Sequence, residues 1–155
     1  METIERLVRE NDTCVLATAG EKEPHTSLMV YTFSRERGTL FLVTPRQTKK
    51  YANLTGNPNV SILIDTRCED TPQSVRAMSI CGIAHEIPDE NARAAIRERF
   101  IEKRPDLEGF LDEPDTAFIG VSIQSVQILS GLRDADYTLF DRTDSKAFFS
   151  EDDAR

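Results

Sequence analysis

Thr39-Leu40-Phe41-Leu42-Val43-Thr44-Pro45-Arg46-Gln47-Thr48-Lys49-Lys50-Tyr51-Ala52-Asn53-Leu54-Thr55-Gly56-Asn57-Pro58-Asn59-Val60-Ser61-Ile62-Leu63-Ile64-Asp65 sets the architecture in one run. Its first six residues are apolar on both faces, which predicts a strand with little solvent on either side. After Pro45 the period changes. Tyr51 and Leu54 share one face of a helix predicted over Gln47 to Thr55, and Asn57-Pro58 stops it. Val60 to Asp65 returns to a strand.

The same grammar extends both ways. Upstream, Cys14 to Thr18 and His25 to Phe33 flank the turn-like Gly20-Glu21-Lys22-Glu23-Pro24, which reads as a hairpin. Ile4, Leu7 and Val8 follow helical spacing and predict a short amphipathic helix over a barrel end. Downstream, Arg76 to Ile87 is a long strand whose Gly82 suggests a bend or bulge. Pro88-Asp89 caps a helix over Glu90 to Lys103 with Ala92, Ala95, Ile96 and Phe100 on one face, and Pro105 ends it. The acidic stretch Asp106 to Asp115 precedes Thr116 to Leu129, an alternating strand, and Tyr137 to Phe140 adds a short one. Six or seven strands with few intervening helices predict a mainly β (α+β) fold, an antiparallel barrel with flanking helices. Residues 1–140 form one domain and 141–155 a charged tail, in which Phe148 and Phe149 either dock or stay free.

The 155 residues carry a formal charge of −8. Such a field repels phosphate backbones and anionic membranes, so neither nucleic acid nor a membrane is the expected partner. The charged segment Met1 to Asn11 does not resemble a signal peptide, no apolar run is long enough to span a bilayer, and the chain reads as cytoplasmic. Cys14, Cys68 and Cys81 are widely spaced, and only His25 and His85 accompany them, so no metal site is expected. Cys14 and Cys81 sit in apolar strand patterns and read as buried thiols. Neither histidine has triad partners at recognisable spacing.

The segment that carries chemistry is Thr44 to Lys50. Thr48 is a suitable N-cap, which puts Lys49 and Lys50 in the first helical turn, where the macrodipole disfavours cations. Open N–H groups, the positive helix end and two ammonium groups together suit an anion such as a phosphate, with Arg46 just upstream. Spacing alone leaves open whether these are simply solvated lysines. Neither a Walker motif nor GxGxxG is present.

The runs Pro24 to Val30, Leu42 to Leu54 and Asn57 to Arg67 resemble the FMN-binding split-barrel family related to pyridoxamine 5'-phosphate oxidase, closest to small members with TSL, TPRxTxKYANL and LID-x-R segments. The resemblance implies a split β-barrel that binds FMN at a homodimer interface, and the strands apolar on both faces, His25 to Phe33 and Thr39 to Thr44, support a second subunit that covers one of those faces. It implies that Ser27, Leu28, Met29 and Val30 line the flavin ring, that Val43 and Thr44 contact it, and that Thr48, Lys49 and Lys50 hold its phosphate. Two departures stand out: Ser27 occupies the place of an arginine common in the family, and the family's fifth-strand glutamine falls near Ala77, where Arg76 would reach the flavin instead.

Such a cofactor in turn implies an FMN-dependent oxidoreductase that passes hydride or electrons through the flavin. The other reading is a binding protein that holds FMN or haem for storage, transport or sensing, since related barrels handle haem; His25 or His85 would then be the axial ligand. True pyridoxamine 5'-phosphate oxidase activity is not expected. Gly131 to Arg142 lacks the family's Arg-x-His element and carries Asp134, Asp136 and Asp141, which oppose a phosphorylated substrate. Asp65 and Arg67 are either an ion pair at the end of the fourth strand or two solvated charges.

Overall fold

A computed structural model describes residues 2–66, 76–130 and 134–139. The elements run α1 (Glu2–Glu10), β1 (Thr13–Ala19), β2 (Pro24–Ser34), β3 (Thr39–Pro45), α2 (Lys49–Gly56), β4 (Asn59–Asp65), β5 (Arg76–Glu86), α3 (Glu90–Lys103), a 3-10 helix (Pro105–Leu107), α4 (Glu108–Leu111), β6 (Thr116–Ser130) and β7 (Asp134–Leu139). Every strand pairing is antiparallel, in the order β3-β2-β1-β4-β5-β6-β7, and a further β3–β6 pairing closes six strands into a barrel. The predicted barrel and helices are present. The acidic stretch adds the 3-10 helix and α4, which no apolar period announced.

Strand alternation fills the interior. Leu16, Tyr31, Leu40, Leu42, Ile62, Ile64, Met78, Ile80, Ile119 and Val121 are almost fully buried, and Leu7 and Val8 of α1 join them from one end. The buried Tyr31 hydroxyl donates to the carbonyl of Val8 at 2.6 Å, and burial pushes its pKa well above the usual phenol value. Gly38, with φ of 56°, makes the β2–β3 turn that other residues would strain.

β2 changes neighbours along its length. Residues 24–30 pair with β1, whereas Tyr31 to Ser34 pair with β3. The edge of residues 24–30 that faces away from β1 therefore has no strand partner among the described residues. The barrel is split here. β6 is divided similarly: Thr116 to Ser122 pair with β3, and Ser125 to Ser130 pair with β7.

The predicted bend at Gly82 is a register shift against β6. Cys81 pairs with Ser125 and Gly82 with Ile123, which leaves Gln124 without a partner. β6 consequently changes which parity faces inward, from Ala117, Ile119 and Val121 to Val126. A Cβ on Gly82 would lie 2.6 Å from the Ser122 carbonyl oxygen, so the strands approach too closely for any side chain.

Three expectations are corrected. Cys81 is exposed, because alternation with inward Met78 and Ile80 puts it on the outer face. Cys14 is buried as expected, and burial pushes its thiol up to about 12. Ala95 is exposed, while Ile96 and Phe100 carry the buried face of α3. The apolar outer face of β3 does not await a second subunit: Phe41 and Val43 pack with Phe118 against Ile96 and Phe100 of α3 and Leu111 of α4. Cys68, Arg67, Phe148 and Phe149 lie outside the described residues.

Candidate functional site

The segment from Thr44 to Tyr51 turns from β3 into α2 through a chain of short polar contacts. Thr48 is the N-cap, as read from the sequence, and its Oγ1 accepts from the Tyr51 amide at 3.3 Å. The same hydroxyl donates to the Pro45 carbonyl at 2.9 Å and lies 3.0 Å from Thr44 Oγ1. Thr44 is almost fully buried, so its hydroxyl belongs to this turn. The amides of Lys49 and Lys50, which precede the first intrahelical bond, are left open by helix geometry. They carry the positive end of the α2 dipole.

The cations around this turn differ in their engagement. Lys49 Nζ donates to Glu23 Oε2 at 3.4 Å, both side chains being largely exposed. Arg46 is tied to Glu86, its Nε and Nη2 lying 3.1 and 2.5 Å from Oε1, and its Nη1 donates to the Pro114 carbonyl at 3.2 Å. Lys50 is half-buried and has no carboxylate within ion-pair distance among the described residues. The sequence grouped Arg46 with the anion site; the structure commits it elsewhere. Its hydrogen bond to Glu86 raises its pKa. Burial alone would raise Glu86, but hydrogen bonds from Tyr51 and Arg46 outweigh it and hold the carboxyl below the usual range.

α2 lies over the turn end of the β1–β2 hairpin. Besides Lys49 on Glu23, Asn53 Nδ2 donates to Thr18 Oγ1 at 3.2 Å. The unpaired edge of β2 begins at Pro24, next to Glu23, so the helix N-terminus and that edge adjoin. Ser27 lies three residues, roughly 10 Å, along the strand from Pro24. Ser27 is half-buried, Met29 faces the core at 6% exposure, Val30 is half-buried and Leu28 is 78% exposed. Met29 and Val43 spend their side chains on packing.

Leu28 stands directly across from Val15 of β1, and Val15 from Leu63 of β4. Leu63 is 43% exposed, so Leu28, Val15 and Leu63 form an apolar row on the outer face; Leu129, at 37%, stands apart from it on β6, opposite Ala77. Arg76 is remote from the α2 turn. It begins β5 opposite Ser130, ten positions and about 30 Å along the strand from Glu86. A single chain does not bring Arg76 to Lys50, and its side chain lies outside the described residues. His25 is half-buried on the open part of β2, and exposed His85 lies over Gly120, where an added Cβ would come within 2.8 Å of its ring.

What the sequence missed is Glu86 with Tyr51. The Tyr51 hydroxyl donates to Glu86 Oε2 at 2.6 Å, and that bond, ahead of burial, raises its pKa. No local pattern links residues 35 positions apart.

Among solved structures the fold is similar to a heme-binding protein from Mycobacterium smegmatis, with a TM-score of 0.76 and 21% identity over 92% of this chain, which spans 56% of that one. It is also similar to General Stress Protein 26 of Bacillus anthracis, at 0.69 and 20% over 90% of this chain and 97% of that one. A FAD-binding protein from Mesorhizobium loti matches at 0.67 and 18%, over 82% and 91% respectively. No curated protein matches the sequence. No helix among the described residues is long and apolar enough to cross a membrane. The family model described as pyridoxamine 5'-phosphate oxidase matches residues 1–130, and the chain belongs to that family of split barrels.

Proposed function

We propose that the protein is an FMN-binding flavoprotein of oxidation–reduction, acting as a homodimer, and not a pyridoxamine 5'-phosphate oxidase. One observation carries the reading: half-buried Lys50, without a carboxylate partner among the described residues, stands with the open amides of the α2 turn beside the unpaired edge of β2. A terminal phosphate suits the former, and a flat ring that needs backbone partners suits the latter.

Thr48, Lys49 and Lys50 would hold the phosphate, and Ser27 to Val30 would face the ring, with Thr44 fixing the passage between them. Bound FMN would supply hydride or electron transfer at its N5. The residues of the chain orient it and exclude water. Exposed Leu28, Leu63 and Leu129 would be covered by a second copy, which is also what Arg76 needs in order to join the site.

Half-buried His25, on the same open stretch of β2, supports a second reading in which haem is held with His25 as axial ligand. A visible spectrum of the purified protein separates the two, since oxidised flavin and haem absorb differently. A haem spectrum with no flavin uptake on adding FMN would sink the first reading. Incubation of the FMN-loaded protein with pyridoxamine 5'-phosphate and oxygen tests the negative part; turnover on the order of one per second would refute it.

A further inference from the structure

Glu86 ends β5, and both of its oxygens are taken. Oε1 accepts from Arg46 at 3.1 and 2.5 Å, and Oε2 accepts from Tyr51 at 2.6 Å. Arg46 and Tyr51 stand on either side of Thr48, Lys49 and Lys50. One carboxylate, 40 and 35 positions further along the chain, therefore ties down both flanks of the turn. Within the turn, the contacts of Thr48 with Thr44 and Pro45 hold only the start of α2 against β3.

We propose that Glu86 is a positioning residue for the anion-binding turn, holding Arg46 and Tyr51 so that the amides of Lys49 and Lys50 and the Lys50 ammonium keep the spacing a phosphate requires. The inference rests on the phosphate site proposed above. The side chains of Arg46 and Glu86 are 33% and 31% exposed, and a pair so open to water adds little to global stability. Its effect is local.

The test is the ratio of FMN to riboflavin affinity, measured by flavin fluorescence in the wild type, Glu86→Gln and Tyr51→Phe, with circular dichroism as a check on folding. Riboflavin lacks the phosphate, so a merely structural role would lower both affinities together. For Glu86→Gln the ratio is expected to fall roughly three- to tenfold, a fraction of one charged hydrogen bond's effect. Tyr51→Phe, which leaves Arg46 in place, should lower it about two- to threefold, and decides the matter if Glu86→Gln does not fold. An unchanged ratio in both folded variants overturns the proposal, as does an equal loss of both ligands. A raised ratio in Glu86→Gln also overturns it, by showing Arg46 to be a ligand that Glu86 restrains. A wild type that binds riboflavin as tightly as FMN removes the phosphate site itself, and Glu86 then has nothing to position.

Discussion

Lys49 donates to Glu23 at 3.4 Å, whereas the next residue, Lys50, faces no carboxylate among the described residues. Consecutive lysines in one helical turn are thus unequal. On the proposed reading, an incoming phosphate would have to displace Glu23 from Lys49 but not any carboxylate from Lys50. Lys50→Ala is expected to weaken FMN by about 1 to 3 kcal/mol, and Lys49→Ala by less than about 1. Both variants should show a shallower dependence on salt. Titration with FMN at two ionic strengths checks this; equal losses would mean that Glu23 plays no part.

Leu28 and Leu63 flank Val15 on the open outer face, and they set the prediction on assembly. The protein should sediment as a dimer at micromolar concentration. Leu28→Asp with Leu63→Asp should weaken association by roughly 2 kcal/mol or more while leaving the fold intact, because neither side chain belongs to the core. A dimer unaltered by the pair of substitutions would place the interface elsewhere.

Glu86 makes the stability of the barrel end depend on pH. Its hydrogen bonds to Tyr51 and Arg46 hold its folded pKa below the ordinary range. The stabilisation is complete at neutral pH. It begins to disappear as pH falls past the ordinary glutamate value of about 4.3, and it is gone once folded Glu86 is protonated. Asp106 beside Arg104 and Asp112 beside Arg97 shift the same way. The comparison is therefore between wild type and Glu86→Gln by thermal unfolding: their gap, less than about 1 kcal/mol for contacts so open to water, should be widest near neutrality and close in acid. A gap that grows in acid would reverse the sign.

At Gly82 the strands β5 and β6 meet without space. Gly82→Ala would place a methyl 2.6 Å from the Ser122 carbonyl and 2.7 Å from Val121 Cγ1, and should destabilise by about 1 to 3 kcal/mol. Gly56→Ala, with nothing within 4 Å, is the control and should be neutral or slightly stabilising. Denaturant melts of both variants decide it; equal midpoints would show that the strands can part.

Much of the fold is legible in the sequence because it is local. Thr48 and Asp89 announce the starts of α2 and α3 within a few residues, and both cap as read. Strand alternation places Ile62, Ile64 and Leu42 inside. What stays hidden depends on register between distant segments. Glu86 finds Arg46 and Tyr51 only after the barrel closes. The outer face of β3 is covered by helices that come some fifty residues later, and Cys81 misleads because a short apolar run conceals which parity faces in. Arg76 shows the same limit: a residue type can suit a cofactor and still lie at the far end of its strand.

The change of neighbours along β2 gives the protein a built-in reporter. In an antiparallel pair, successive residues direct their amides alternately toward the partner strand and away from it. From residue 25 to 30 β1 is the only strand partner among the described residues, so every second amide is bonded in a ladder and the intervening ones find no strand there. Hydrogen exchange along this stretch should therefore alternate slow and fast with a period of two in the free protein. A molecule that bonds to the open edge will slow the fast set and leave the slow set as it was. The loss of that alternation would reveal that something has filled the split, whatever its colour and before any reaction has been found.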